Sequence, residues 1–275
     1  MSFHREVIGV WGEPVEFPVT RDHIIAYTRA TNDPTGVHLA GDQAPPVYAV
    51  VPAFRTMADT TLSAAPDELM ARILHGEHDF HFHRPIVPGD VLTCRAKVTG
   101  IHGKSSGVVV TTKLETRDAG DGLVNEQYFV GFFRGGQFGE ALGEAAPGHL
   151  FDEGLRGRDP DRVTAQKYDD DQTFRYAEAS GDPMPIHLDD DFARSVGLPG
   201  IIVHGLCTMA FVSHALPDPE RLSRLAVRFS APALPRNTIT TSGWRTDGGY
   251  TFETVTDEGT TVIKDGLAHY AGAAA

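Results

Sequence analysis

Twice in this chain an aspartate precedes a histidine by five residues. Asp182 and His187 bracket DPMPIH inside YAEASGDPMPIHLDDDFA, and Asp33 and His38 bracket DPTGVH. An imidazole titrates near neutral pH, and a carboxylate can orient it or activate water, so such a pair can share general acid–base work. The prolines carry as much information as the acid and the imidazole. A residue before proline is pushed out of the α region, so Asp182 and Met184 are both expected to be extended. The pair is then expected on a stiff bend, not on one face of a helix. The same pattern suits a braced turn, with Asp182 capping the bend and His187 satisfying a buried carbonyl.

A second chemical element follows in VHGLCTM. Gly205 falls at the expected start of an apolar helix, where a backbone N–H without a helical acceptor can face an oxygen that acquires negative charge. A glycine there serves helix–sheet packing equally well. His204 reads as a packing or supporting residue, and Cys207, inside an apolar helix, as core. No metal site is expected, because Asp182 and His187 lack a third and fourth ligand at the usual spacing. His81 and His83 share one strand face and read as sheet surface or ligand wall.

The elements that must position these residues come in two similar sets. YTRATNDPTGVH (27–38) and YAEASGDPMPIH (176–187) match at a constant offset of 149, and Thr56–Ala58 echo Thr208–Ala210 at 152. A third, looser echo pairs FHRPIVPGDVLT with FSAPALPRNTIT. Three echoes in one order point to two similar domains. Each half reads as a short helix (Arg21–Ala30; Gln172–Ala179), the Asp-to-His bend, a more apolar helix (Pro52–Ala64; His204–Leu216) and a run of strands. In the second half HLDDDFARSVGLPG adds a small helix with Asp189 as cap and Gly197 and Pro199 at its end. A buried helix followed by consecutive strands implies α+β architecture with a largely antiparallel sheet wrapped on the helix. Domains are expected at 1–140 and 166–275. The intervening connector, 141–165, lies in the Gly-, Asp- and Pro-rich stretch Glu140–Asp171, which is long enough to be partly ordered.

Composition narrows the function. With 41% hydrophobic residues and 15 Phe in 275 residues, the chain can build real cores. Its 37 acidic against 24 basic residues, a formal charge of −13, argue against a general nucleic-acid surface. Cys94 and Cys207 are too few for a disulfide scaffold. The N-terminal stretch lacks a signal-peptide core and no run is long enough to span a membrane, so a soluble cytoplasmic protein is expected. The tail AGAAA is expected to fray.

On YAEASGDPMPIH followed by IIVHGLCTMAF, the sequence resembles the MaoC-like hydratase and dehydratase family, in particular its double-hotdog (R)-specific enoyl-CoA hydratases. The resemblance runs from about Val15 to Tyr270. It implies a tandem (double) hotdog, two long helices wrapped by a continuous sheet, and reversible hydration of trans-2-enoyl-CoA to (R)-3-hydroxyacyl-CoA. It places the catalytic acid on Asp182, the catalytic imidazole on His187 and the oxyanion-binding amide on Gly205. No cofactor is implied, with coenzyme A as part of the substrate or an acyl-carrier-protein thioester as the main variation. A homodimer is conceivable. Met184 departs from the family's usual Asn and, with Pro185 and His204, is expected near the substrate. The first half, where Pro52 and Ala53 replace His204 and Gly205, is expected to help bind acyl chains, with Tyr48 and Val50 lining the tunnel. Two alternatives stay open: a non-catalytic acyl-thioester-binding or scaffolding protein, and a hotdog acyl-CoA thioesterase.

Overall fold

The computed structural model describes residues 2–272, so the last three residues of the AGAAA tail lie outside it. In chain order the first half contains β1 (Val15–Pro18), α1 (Arg21–Ala30), α2 (Gly36–Leu39), α3 (Phe54–Leu62) and β2 (Ile73–Phe82). It continues with β3 (Val91–Lys104), β4 (Gly107–Arg117), β5 (Leu123–Arg134) and β6 (Ala141–Gly143). The second half contains β7 (Arg162–Lys167), α4 (Gln172–Ser180), α5 (Asp190–Ser195), α6 (Gly205–Ala215), β8 (Leu222–Phe229), β9 (Thr238–Thr246), β10 (Gly249–Thr256) and β11 (Thr261–Tyr270).

The chain forms two compact units that do not follow chain order. One comprises Met1–Pro18, Pro52–Arg84 and Asp90–Gly148; the other comprises Val19–Val51, Pro85–Gly89 and His149–Ala275. The segment carrying Asp33 and His38 therefore belongs to the same unit as Asp182 and His187. The repeat read from the sequence reappears as topology. In the first unit the strands run β1-β3-β4-β5-β2, and in the second β7-β9-β10-β11-β8, which is the same order counted from each unit's first strand. Every pairing within these two series is antiparallel. Each series with its helix is a hotdog.

The two central helices differ in depth. Eight of the first nine residues of α6 are buried, from Leu206 to Ser213, and only Gly205 at its start is partly open. An all-round buried helix needs an all-round apolar sequence, which LCTMAFV supplies. By contrast, α3 is amphipathic: Thr56, Met57 and Thr61 face inward while Arg55 and Asp59 pair across one exposed turn. Next to it Phe3, Ala64, Val98, Ile101, Val110 and Phe133 form the core of the first unit. The second unit's first strand, β7, begins inside the Gly-, Asp- and Pro-rich stretch. It and β1 pair on one side only and remain largely exposed, so neither shows the apolar alternation that marks an inner strand.

Candidate active site

Helix α4 ends where the chemistry begins. Gly181 caps it in the left-handed region (φ +75°), a conformation that glycine adopts without the Cβ clash. Asp182 follows, ahead of Pro183, and its Oδ1 accepts the Met184 N–H at 3.2 Å. Pro185 opens a 3₁₀ turn over Pro185–His187. This turn sinks the His187 ring to 7% exposure, while the neighbouring Pro183, Met184 and Pro185 remain at the surface. Asp189 caps α5 by accepting the Phe192 N–H at 2.9 Å, as the sequence suggested.

The loop before α6 completes the arrangement. His187 Nδ1–H donates to the Ile202 carbonyl at 2.8 Å, which fixes the tautomer and leaves the Nε2 lone pair free. His204, at the N-cap of α6, stacks on His187 with ring centroids 3.6 Å apart and planes 24° from parallel. Its Nε2–H donates to the Asp182 backbone carbonyl at 3.2 Å, and its Nδ1 is buried without a partner. Gly205 follows as the first helical residue, so its N–H has no acceptor within the helix. The Phe229 ring packs against it so closely that an added Cβ would lie 3.1 Å from a ring carbon.

Asp182, His187 and His204 bring a carboxylate oxygen and two imidazole nitrogens within 4.8 Å of one another. Such a set invites comparison with a metal centre. A ligated imidazole holds its ion in the ring plane at about 2.0–2.1 Å. The two rings here stack face to face, with planes only 24° apart, instead of converging edge-on at one point. The geometry therefore favours proton chemistry over chelation.

Burial also shifts the titration of all three groups. Burial pushes the Asp182 carboxyl up to about 6, although the Met184 N–H partly offsets it. Burial pulls the His187 imidazole down to about 4 against the pull of the Ile202 carbonyl. For His204, burial and the neighbouring His187 ring lower it to about 2. At neutral pH the site holds a carboxylate close to its titration range beside two neutral imidazoles. Displacement of an acid and a base toward one another is a mark of functional sites.

The homologous bend in the first half has the same acid and imidazole in a different arrangement. His38 Nδ1–H donates directly to Asp33 Oδ2 at 2.7 Å, with His38 at 0% and Asp33 at 2% exposure. Burial alone would raise the Asp33 carboxyl, but the His38 bond, with nearby His214 and the Thr35 N–H, holds it below its usual range. Asn32 takes the left-handed conformation (φ +51°) that Gly181 takes in the second bend, so the missing glycine changes little; asparagine tolerates this region. Tyr48 and Val50 are fully buried in the same unit. Tyr48 packs on Tyr27, Tyr27 on Tyr176, and Tyr176 on His204, a line of rings that reaches the site. Sequence reasoning left His204 as a supporting residue and missed its stack. The available signal was its replacement by Pro52 in the repeat.

The chain is similar to known proteins along nearly its whole length. The profile described as MaoC like domain matches residues 152–266, and that described as FAS1-like, dehydratase domain region matches residues 6–127. A 3-hydroxyacyl-thioester dehydratase Y from Mycobacterium tuberculosis (strain ATCC 25618 / H37Rv) is 30% identical over 98% of this chain and 99% of its own length. The chain belongs to the MaoC-like dehydratase family. A probable enoyl-CoA hydratase 2 from Dictyostelium discoideum is 29% identical over 71% of this chain and 69% of its own. The crystal structure of a MaoC-like dehydratase from Phytophthora Capsici, 27% identical, superposes with a TM-score of 0.84 over 98% of both chains. The chain also matches the Mus musculus peroxisomal multifunctional enzyme type 2 at 30% identity over 80% of its own length, but spans only 31% of that enzyme. Among the described residues no helix of this MaoC-like chain is long and apolar enough to cross a membrane.

Proposed function

We propose that this protein catalyses reversible hydration of a trans-2-enoyl thioester, with coenzyme A as the carrier, to the (R)-3-hydroxyacyl thioester. The observation that carries this reading is the open Asp182–His187 arrangement next to the Gly205 amide. Polar atoms of the two groups lie within 4.8 Å of one another, and neither side chain is spent on the other. Water held there donates one hydrogen bond to His187 Nε2 and one to the Asp182 carboxylate. Its proton passes to the pair as the hydroxyl adds to Cβ. The pair then returns a proton to Cα, so no net proton is gained or lost. Negative charge collecting on the thioester oxygen is met by the Gly205 N–H at the positive end of α6. The sequence is redox-neutral and each step uses groups of the chain. The main variation is a carrier-protein thioester in place of the coenzyme A ester, decided by activity on the two carriers, and a homodimeric state, decided by sedimentation, is a further part of the proposal.

The test is steady-state hydration of a short panel of enoyl-CoA esters, followed by loss of the conjugated thioester absorbance. Asp182→Asn and His187→Ala should each lower kcat by about 100-fold or more, the usual scale for a proton-transfer group, with circular dichroism unchanged. Near-normal turnover in either folded variant overturns its role. Tight binding of several enoyl thioesters without turnover by the parent protein would instead support the scaffold alternative.

A further inference from the structure

We infer that His204 is a positioning residue that keeps Asp182 and His187 apart, so that both stay directed at the reacting water and do not neutralise each other. The inference rests on the hydratase reading of the site and goes beyond it in explaining why the two groups remain unpaired.

The chain supplies its own comparison. Both bends place an aspartate and a histidine five residues apart, with the acid ahead of a proline and a left-handed residue before it. In the first bend the pair is closed, with Nδ1 of His38 2.7 Å from the Asp33 carboxylate. In the second, the corresponding Nδ1 of His187 turns to the Ile202 carbonyl at 2.8 Å, and the Asp182 side chain accepts only the Met184 N–H. At the offset of 152 that relates the two central helices, His204 corresponds to Pro52. The repeat that has proline at this position, and whose neighbouring imidazole is instead His214 bound to the Thr31 carbonyl, is the one whose pair has closed.

His204 has the contacts to produce this difference. Its ring lies on the His187 ring at 3.6 Å, which opposes rotation of His187 toward the acid. Its Nε2–H holds the backbone carbonyl of Asp182 at 3.2 Å, which fixes the acid from the other side. Tyr176 backs the ring at 4.9 Å. At 1% exposure, His204 has little room to leave this position. Its remaining nitrogen, Nδ1, is buried and unpartnered, in accord with a residue placed for its ring and its one donor.

Three variants separate the parts of this role. His204→Ala removes the stack and the donor. His204→Phe keeps the stack alone, and His204→Gln keeps a donor alone. The readout that does not depend on turnover is the nitrogen-15 NMR titration and tautomer of His187, together with a crystal structure of the variant. With His204→Ala, His187 should exchange the Ile202 carbonyl for the Asp182 carboxylate, reproducing the first bend, and its titration should move up toward neutral pH. Turnover should fall by about 10- to 100-fold, the scale of an angstrom-level misplacement, with KM changed less than kcat. His204→Phe should restore the His187 tautomer and part of kcat. The inference is overturned if His187 in a folded His204→Ala variant keeps its Ile202 bond and its low titration, whatever happens to the melting temperature. Should the parent protein prove inactive on enoyl thioesters while His187 still closes onto Asp182 in the variant, the hydratase reading fails and the positioning role stands.

Discussion

Replacing Asp182 with asparagine should stabilise the protein while removing its activity. The carboxyl moves from an ordinary value of 3.8 to about 6 because burial disfavours its charged form. The folded-state value lies above the unfolded one, so the ionised group opposes folding once the pH exceeds both. Moving the carboxyl from 3.8 to about 6 corresponds to about 3 kcal/mol at pH 8. Below pH 3.8 both states are protonated and the cost disappears. At pH 5 the unfolded carboxyl is almost fully ionised and the folded one is mostly protonated, which leaves about 1.6 kcal/mol by the same relation. Asparagine has nearly the same shape and retains an oxygen for the Met184 N–H, so it removes the charge and little else. Solvent reaching the half-buried carboxyl makes these figures upper values.

Urea unfolding of parent and variant at pH 5 and pH 8 measures this directly. Asp182→Asn should be the more stable protein at both, by about 1.4 kcal/mol more at pH 8 than at pH 5. The same preparation should show the loss of turnover described above. A variant less stable than the parent at pH 8, or a gain independent of pH, would mean that the carboxylate is not held at an energetic cost. The electrostatic half of the site argument would then fail.

Further consequences follow from the same geometry. The kcat/KM of the parent should fall as the pH drops through about 6 and Asp182 takes up a proton, with no second limb from His187, whose value near 4 keeps it neutral throughout; a profile flat from pH 5 to 8 would contradict this. Proline is tolerated at the first position of a helix but lacks the N–H, so Gly205→Pro should cost about 100- to 1000-fold in kcat. Gly205→Ala makes the same close approach to Phe229 but keeps the donor, and should lose far less; equal losses would assign Gly205 to packing. His38→Ala strands a buried carboxylate and should cost about 3–5 kcal/mol of stability in denaturant melts, while the folded protein retains kcat within a few-fold.

Much of the fold could be read from the residues because its main elements depend on strong local patterns. The helix expected at Arg21–Ala30 has those bounds in the structure, and the expected run of strands follows the central helix in each half. The strands not anticipated, β1, β6 and β7, are three to six residues long and mostly exposed. They are fixed by hydrogen bonds to a neighbouring strand, and a partner distant in sequence leaves no periodic trace. Helix boundaries shifted for a related reason. Pro52 and Ala53 offer no capping side chain, so α3 starts at Phe54. At the site, Asp182, His187 and Gly205 announce themselves by type and spacing. The acceptor of the His187 proton is a backbone carbonyl fifteen residues away, and no residue identity encodes that.

The hidden part separates the two bends. Asp33 and His38 share the acid, the following proline and the five-residue spacing of Asp182 and His187, although their bend lacks the glycine before the acid and the second proline. A buried acid and imidazole in contact reach a low-energy state together, because each supplies what the other loses on leaving water. Such a pair is a good brace: the carboxylate is committed to the imidazole N–H, and the other ring nitrogen, His38 Nε2, is buried without a partner. Keeping the groups uncommitted requires other partners for what each must satisfy. The second bend supplies the Ile202 carbonyl for the imidazole N–H, the Met184 amide for the carboxylate and the His204 ring between two alternatives. Two of these three are backbone groups, set by the loop into α6 and by the proline-stiffened turn. The side chain that distinguishes the bends is thus neither the acid nor the base but the residue one position before the helix.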